Sequence, residues 1–199
     1  MSFLSRCFLV LGLTMPALAG GADKVRVVAT LPDIAWAVSE IGKEHVEVKA
    51  LLKGTEDPHY ADAVPEFIRL VSNADVVCLV GLELEVGWLP KVLARAGNAQ
   101  TDFGGKGYCD LGQGVDTLEK PKGRIDRSMG DVHPLGNPHY WLSPRALAKA
   151  SGQIVAALTR VDPSHAADYR KNLDVFTARM EALVEASRKK LAAIQKGDA

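Results

Sequence analysis

Two short stretches of this chain share an order of residues suited to holding a metal ion: DPHYADAVP, from Asp57 to Pro65, and NPHYWLSP, from Asn137 to Pro144. Each runs acidic or amide residue, proline, histidine, tyrosine, and then a second proline within six residues. Of the five histidines in the chain, His59 and His139 occupy these echoes. Neutral imidazole is the commonest ligand for zinc and similar divalent ions. A ligand must also be held still, and Pro58 and Pro138 fix their own φ while biasing the residues before them away from helix. Pro65 and Pro144 open helices, so each loop is pinned at its far end. The helix starts should lower the histidine pKa, which favours the ligand form. The same dipole opposes a cation, so a site here calls for at least one carboxylate among its other ligands. Two histidines alone do not close it.

Other residues carry weaker signals. His133, six residues before His139, reads as an auxiliary ligand or as a residue on the lip of the site. His45, at a strand entry, and His165, in the first turn of a long helix, read as surface positions. Glu56, Asp57, Glu83, Glu85 and Asp131 stand near the expected mouth, mostly as solvated charges of loops and helix starts. Cys78 and Cys109 lie in apolar, strand-like runs and read either as buried free thiols or, in an oxidising compartment, as a disulfide. They lack the close spacing of a cysteine metal site. No nucleophile elbow, phosphate-cradling loop or dinucleotide turn is present, so the reading is a binding protein and not an enzyme.

The elements that must position the histidines alternate between strand and helix. VRVVAT (Val25 to Thr30) is β-branched without strict alternation, as in a strand buried on both faces. Pro32 opens a helix with Ile34, Val38 and Ile41 on one face and Gly42 as its stop. Strands follow at Val46 to Leu52 and Asp75 to Gly81, with a helix from Pro65 between them carrying Phe67, Ile68 and Val71 inward. A helix from Glu85 to Ala96 and a strand in GYCDLG come next. This order predicts an α/β fold, a mostly parallel sheet flanked by helices, with ligands beyond the carboxyl ends of the strands. The His59 loop leaves a strand at that end.

From Gln113 to Asp131 the chain is polar and reads as a surface loop. Ser143 and Pro144 then cap a helix running to about Arg160. Asp162 and Pro163 repeat the device and open a helix without a breaker before Gly197, about 48 Å long at 1.5 Å per residue. Its apolar stripe is Tyr169, Leu173, Phe176, Met180, Leu183, Leu191 and Ile194. One small domain covers only the first half of that stripe, so Leu183, Leu191 and Ile194 call for another surface.

The chain carries 24 Lys and Arg against 24 Asp and Glu. Neither this balance nor any basic face argues for a nucleic acid partner. The first residues combine Arg6, an apolar run from Cys7 to Leu13, and Ala17 and Ala19, which is the pattern of a cleaved secretory leader spanning 1–19. That apolar run is too short to span a bilayer.

Taken in order, VRVVATLPDIAWAVSEIG, EDPHYADAVPEFIRLVSNADVVCLVGLELEVGWLPKVL, GNPHYWLSPRAL and DPSHAADYRKNLDVF resemble the periplasmic metal-binding proteins of zinc and manganese ABC uptake systems, the cluster A-I or TroA-like solute-binding proteins. The resemblance covers nearly all of the chain after the leader. It implies two α/β lobes joined by a long helix, with the metal in the cleft between them. The first family ligand falls on His59 and the second on His139, while a His or Glu and an Asp come from the second lobe. Residues 20–161 would then be the N-terminal metal-binding lobe and 162–196 the linking helix. Because the sequence ends at Ala199, the second lobe and its two ligands are expected to be missing. The resemblance further implies Zn2+ or Mn2+ as the bound ion, an ABC permease in the inner membrane as partner, and a periplasmic location. Zinc is favoured, since two imidazoles suit it better than they suit manganese. A reading from another class is a stand-alone exported metal chaperone, or an interaction module forming a homodimer through Leu183, Leu191 and Ile194.

Overall fold

The computed structural model describes residues 23–123 and 132–196. The expected leader at 1–19, Asp131 and part of the polar loop lie outside the described residues. Four strands, β1 (Val25–Ala29), β2 (Val46–Ala50), β3 (Val76–Leu79) and β4 (Tyr108–Asp110), form one sheet in the order β2-β1-β3-β4. Every pairing is parallel, with Val27 opposite both Val48 and Val76, and Cys78 opposite Cys109. Burial on both faces explains the apolar runs: in β1 only Arg26 reaches solvent, and β3 is buried throughout. Each fully buried Val or Ile contributes about 1.5–3 kcal/mol relative to leaving it in water. Cys78 and Cys109 are both buried and both free.

Among the described residues, six α-helices surround the sheet: α1 (Pro32–Gly42), α2 (Pro65–Ser72), α3 (Leu89–Ala96), α4 (Pro144–Ala150), α5 (Gly152–Val161) and α6 (Ala166–Lys196). Crossovers send the chain from β1 to β2 in one direction and from β2 past β1 to β3 and β4 in the other. Accordingly α1, α5 and α6 pack together, and α2 packs with α3. The direction changes between β1 and β3, which is where ligands of such sheets gather, beyond the carboxyl ends of the strands.

The expected faces hold for α1, where Ile34, Val38 and Ile41 are all buried. Gly42 is its last residue, glycine because a Cβ there would stand 2.4 Å from the Val46 side chain, and Lys43, at a φ of 47°, caps the end. The strands expected at Val46 to Leu52 and Asp75 to Gly81 are shorter, Val46–Ala50 and Val76–Leu79, and three helix boundaries also differ from expectation. The helix expected from Glu85 begins only at Leu89, because residues 82–88 form turns in which Leu82 and Glu83 hold positive φ. The helix expected from Pro144 to Arg160 is two helices, α4 and α5, which meet at buried Ser151, whose backbone N–H and hydroxyl both donate to the Leu147 carbonyl, at 2.9 and 2.8 Å. The long helix starts at Ala166, since Pro163–His165 is a single 3-10 turn.

The α6 stripe divides as the length argument requires. Tyr169, Phe176 and Met180 are buried against the lobe, whereas Leu183, Leu191 and Ile194 are 49%, 60% and 60% exposed. Among the described residues no helix is long and apolar enough to cross a membrane.

Candidate metal centre

The repeated Asp/Asn-Pro-His order has a local structural cause. In the first loop the Asp57 carboxylate accepts the backbone N–H of His59 at 2.9 Å and faces the ring Nδ1 of the same residue at 2.7 Å. In the second, the Asn137 side-chain oxygen accepts the backbone N–H of His139 at 2.9 Å and faces its Nδ1 at 2.9 Å. A backbone N–H can only donate, so the Asn137 atom must be oxygen, and the proton of the ring contact must sit on Nδ1. The Asn137 amide nitrogen donates in turn to Glu119, at 2.8 Å, which agrees with that orientation. With Nδ1 protonated, Nε2 carries the lone pair. Orientation of a ligand ring through its other nitrogen is the standard way in which proteins prepare histidine for a metal.

The prolines keep this arrangement stiff. Pro58 also supplies an anchor, for its carbonyl accepts the Trp88 indole N–H at 2.8 Å. On the other loop the Tyr140 hydroxyl donates to the Val80 carbonyl at 2.7 Å. The tyrosine common to both motifs therefore has two fates: Tyr140 is buried and bonded to the end of β3, while Tyr60 is exposed.

These loops bring together His59, His139 and His133. The rings of His59 and His139 lie 5.4 Å apart between centroids, and those of His59 and His133 5.2 Å. The Nε2 atoms of His59 and His133 are 3.2 Å apart. Two nitrogens on one tetrahedral zinc, each at about 2.0–2.1 Å, are themselves about 3.3 Å apart. A hydrogen shared between these two nitrogens thus occupies the place an ion could take. Among the described residues, no three His, Cys, Asp or Glu side chains already stand in an arrangement that could hold a metal. The rings are neighbours without being a closed ligand set.

The His139 pKa is lowered, first by burial and then by neighbouring His59, against the pull of Asp57. The direction matches the expectation, but burial leads where helix starts were expected to. Asp57 is held below the usual carboxylate range by the His59 backbone N–H and then by the ring. It is thus a ring-orienting group and not merely a solvated loop charge. His133, His139 and Asn137 line a cleft of about 210 Å³ with Gly136, Pro138 and Glu119.

Two sequence expectations fail. Glu85 is 2% exposed, not a solvated charge at a helix start. His45 and His165 are not ordinary surface positions: their rings stack with centroids 3.8 Å apart and planes 20° from parallel. The missed role of Asp57 and Asn137 had a visible signal, the acidic or amide residue recurring two places before each histidine. The burial of Glu85 had none, because GLELE offers two carboxylates, Glu83 and Glu85, and no way to choose between them.

The family profile described as ZnuA, zinc-uptake complex component A periplasmic, matches residues 27–199. The chain belongs to this family. It is 29% identical over 196 residues to the iron ABC transporter substrate-binding lipoprotein MtsA of Streptococcus pyogenes serotype M1, covering 97% of this chain and 60% of that protein. It is 27% identical to the manganese ABC transporter substrate-binding lipoprotein PsaA of Streptococcus mitis, covering 94% and 58%. Among solved structures it resembles a zinc-bound ZnuA carrying a 138–173 deletion, with a TM-score of 0.68 and 29% identity, over 82% of this chain and 57% of the other. The chain therefore spans about 60% of the length of the curated relatives it matches.

Proposed function

We propose that this chain is the metal-capturing lobe of a periplasmic ABC-transporter binding protein, with residues 20–161 forming the lobe and 162–196 the linking helix. Its cargo is zinc, with manganese as second choice, and His59 and His139 are its ligands. His133 acts as an auxiliary ligand from the lip. The observation that carries this reading is the pair of Asp/Asn contacts that protonate Nδ1 and turn Nε2 outward on two neighbouring rings. Relatives whose names specify iron or manganese, and a related structure with zinc bound, support a divalent or trivalent metal as the cargo class. Imidazole nitrogens favour zinc over manganese, which takes oxygen-rich sites.

Capture proceeds by replacement of the His59 to His133 hydrogen bond with bonds to the ion. The remaining positions take water or donors that the described residues do not bring to the site. Release is to a membrane permease, after export directed by the leader at 1–19. Zinc titration of the chain against a competing chelator tests the assignment. His59→Ala and His139→Ala should each remove most of the binding, and unchanged titrations in both variants would sink it.

A further inference from the structure

A buried carboxylate lies beneath the two histidine loops and has no place in the ligand set. Glu85 accepts the Thr30 hydroxyl at 2.7 Å and the Val80 backbone N–H at 2.8 Å on one oxygen, and the Gly81 N–H at 3.1 Å on the other. Thr30 follows β1, and Val80 and Gly81 follow β3, so this side chain ties the two strands where the chain direction switches. The segment it holds is strained. Gly81, Leu82 and Glu83 have φ of 81°, 54° and 66°, a conformation that persists in non-glycine residues only when the surroundings enforce it. Gly81 has no alternative, because a Cβ there would stand 1.9 Å from Asp110.

Both histidine loops hang on this same segment. Val80 receives the Tyr140 hydroxyl on its carbonyl while giving its N–H to Glu85. Trp88, whose N–H bonds to the Glu85 carbonyl at 3.2 Å, holds the carbonyl of Pro58. Gly87 packs so closely that a Cβ would meet the His59 carbonyl at 3.1 Å. We infer that Glu85 is a positioning residue for the metal site, fixing the spacing of His59 and His139 by clamping the Val80 to Trp88 segment from which both loops are suspended. Burial pushes its pKa up, while its three donors pull the other way, which marks a side chain held in place at a cost in solvation. The inference rests on the metal reading of His59 and His139.

Glu85→Gln is the decisive variant. It keeps the size of the side chain and an oxygen for Thr30 and Val80 but sets an amide N–H against that of Gly81. Zinc affinity of the full chain, measured by chelator competition, should fall about 10–100-fold, the range for groups that orient ligands. The visible absorption of bound Co2+ should change with it, because that spectrum reports coordination geometry. A purely structural role would lower the thermal midpoint yet leave the affinity and Co2+ spectrum of the folded chain as in wild type. Thr30→Val, which removes one donor without changing shape, should give a smaller loss in the same direction and serves if Glu85→Gln does not fold. Binding lost in His59→Ala but kept at wild-type strength in Thr30→Val and in folded Glu85→Gln overturns this inference alone. A wild-type chain that binds no zinc, or His59→Ala that binds like wild type, overturns the metal reading and this inference with it.

Discussion

The sheet carries a histidine cluster at each end, and the two are built from nearly the same parts. At the carboxyl end His59, His133 and His139 meet beside Asp57 and Asn137. At the amino end His45 and His165 meet beside Asp162 and Asp168, with His165 Nδ1 2.6 Å from Asp162 and His45 Nε2 3.4 Å from Asp168. A cleft of about 1010 Å³ opens at the amino end, far larger than the one beside His139. Size and composition alone would choose the amino end. What separates them is ring attitude: the carboxyl-end rings are tilted by 35° and 47°, and two of their Nε2 atoms point at each other. The amino-end rings lie nearly flat on one another. Imidazole lone pairs lie in the ring plane, so stacked rings direct their nitrogens side by side and do not converge on a point. The stack, with Tyr169 edge-on to His45, packs the start of α6 against the entry to β2.

The sharpest way to break this contrast is to delete one ring at a time. His59→Ala or His139→Ala should weaken zinc binding by at least about 100-fold, beyond the 10–100-fold typical of outer partners. His45→Ala and His165→Ala should leave it within about 3-fold of wild type, since neither ring is near the site. Equal losses at both ends, in the same chelator competition, would erase the distinction.

The second test removes the orienting groups. Asp57→Ala and Asn137→Ala free the ring Nδ1 atoms and should reduce affinity by about 10–100-fold with little change in thermal midpoint. Isothermal titration on each variant checks this, and wild-type affinity in both would reduce the Asp/Asn contacts to loop decoration.

At the amino end the expected effects are on stability. Burial pushes the Asp162 carboxyl up, but hydrogen bonds from Ser164, Tyr169 and His165 outweigh it and hold the pKa at about 2. A depressed folded value means that the folded state binds fewer protons than the unfolded state. The contribution is therefore complete above the ordinary Asp value of about 4 and is lost as pH falls through about 2. Asp162→Asn should cost on the order of 1–2 kcal/mol at neutral pH and flatten the acid limb of stability. Urea midpoints between pH 2 and 6 test this; parallel curves for wild type and variant would refute it. The smallest effect is that of the stack itself, where His45→Ala should cost about 0.5–1.5 kcal/mol, read as a lowered thermal midpoint with zinc affinity intact.

Much of the architecture was legible because it depends on periodicity. The β-branched runs became β1, β2 and β3, and Ile34, Val38 and Ile41 became the buried face of α1. The stripe of α6 showed in advance that Tyr169, Phe176 and Met180 would be covered and Leu183, Leu191 and Ile194 would not. What periodicity hid were single residues that override it. The helical pattern after Pro144 divides at the single residue Ser151, and Glu85 sits in a helical pattern that the left-handed turn at Leu82 and Glu83 delays until Leu89. His45 and His165 are 120 positions apart, and no spacing rule could pair them.

The sequence by itself determined everything that closes within two residues. Asp57 and Asn137 each reach the N–H and ring of the histidine two places on, at almost no cost in loop closure, so proline and a short polar side chain suffice to prepare each imidazole. It determined neither that the two imidazoles meet nor that Glu85 is buried below them. Those follow from the strand order β2-β1-β3-β4, which brings the ends of β1 and β3 together and draws in the loops after β2 and before α4. Contacts across some eighty residues form only when the packed sheet has already fixed their ends, and that packing is a property of the whole fold.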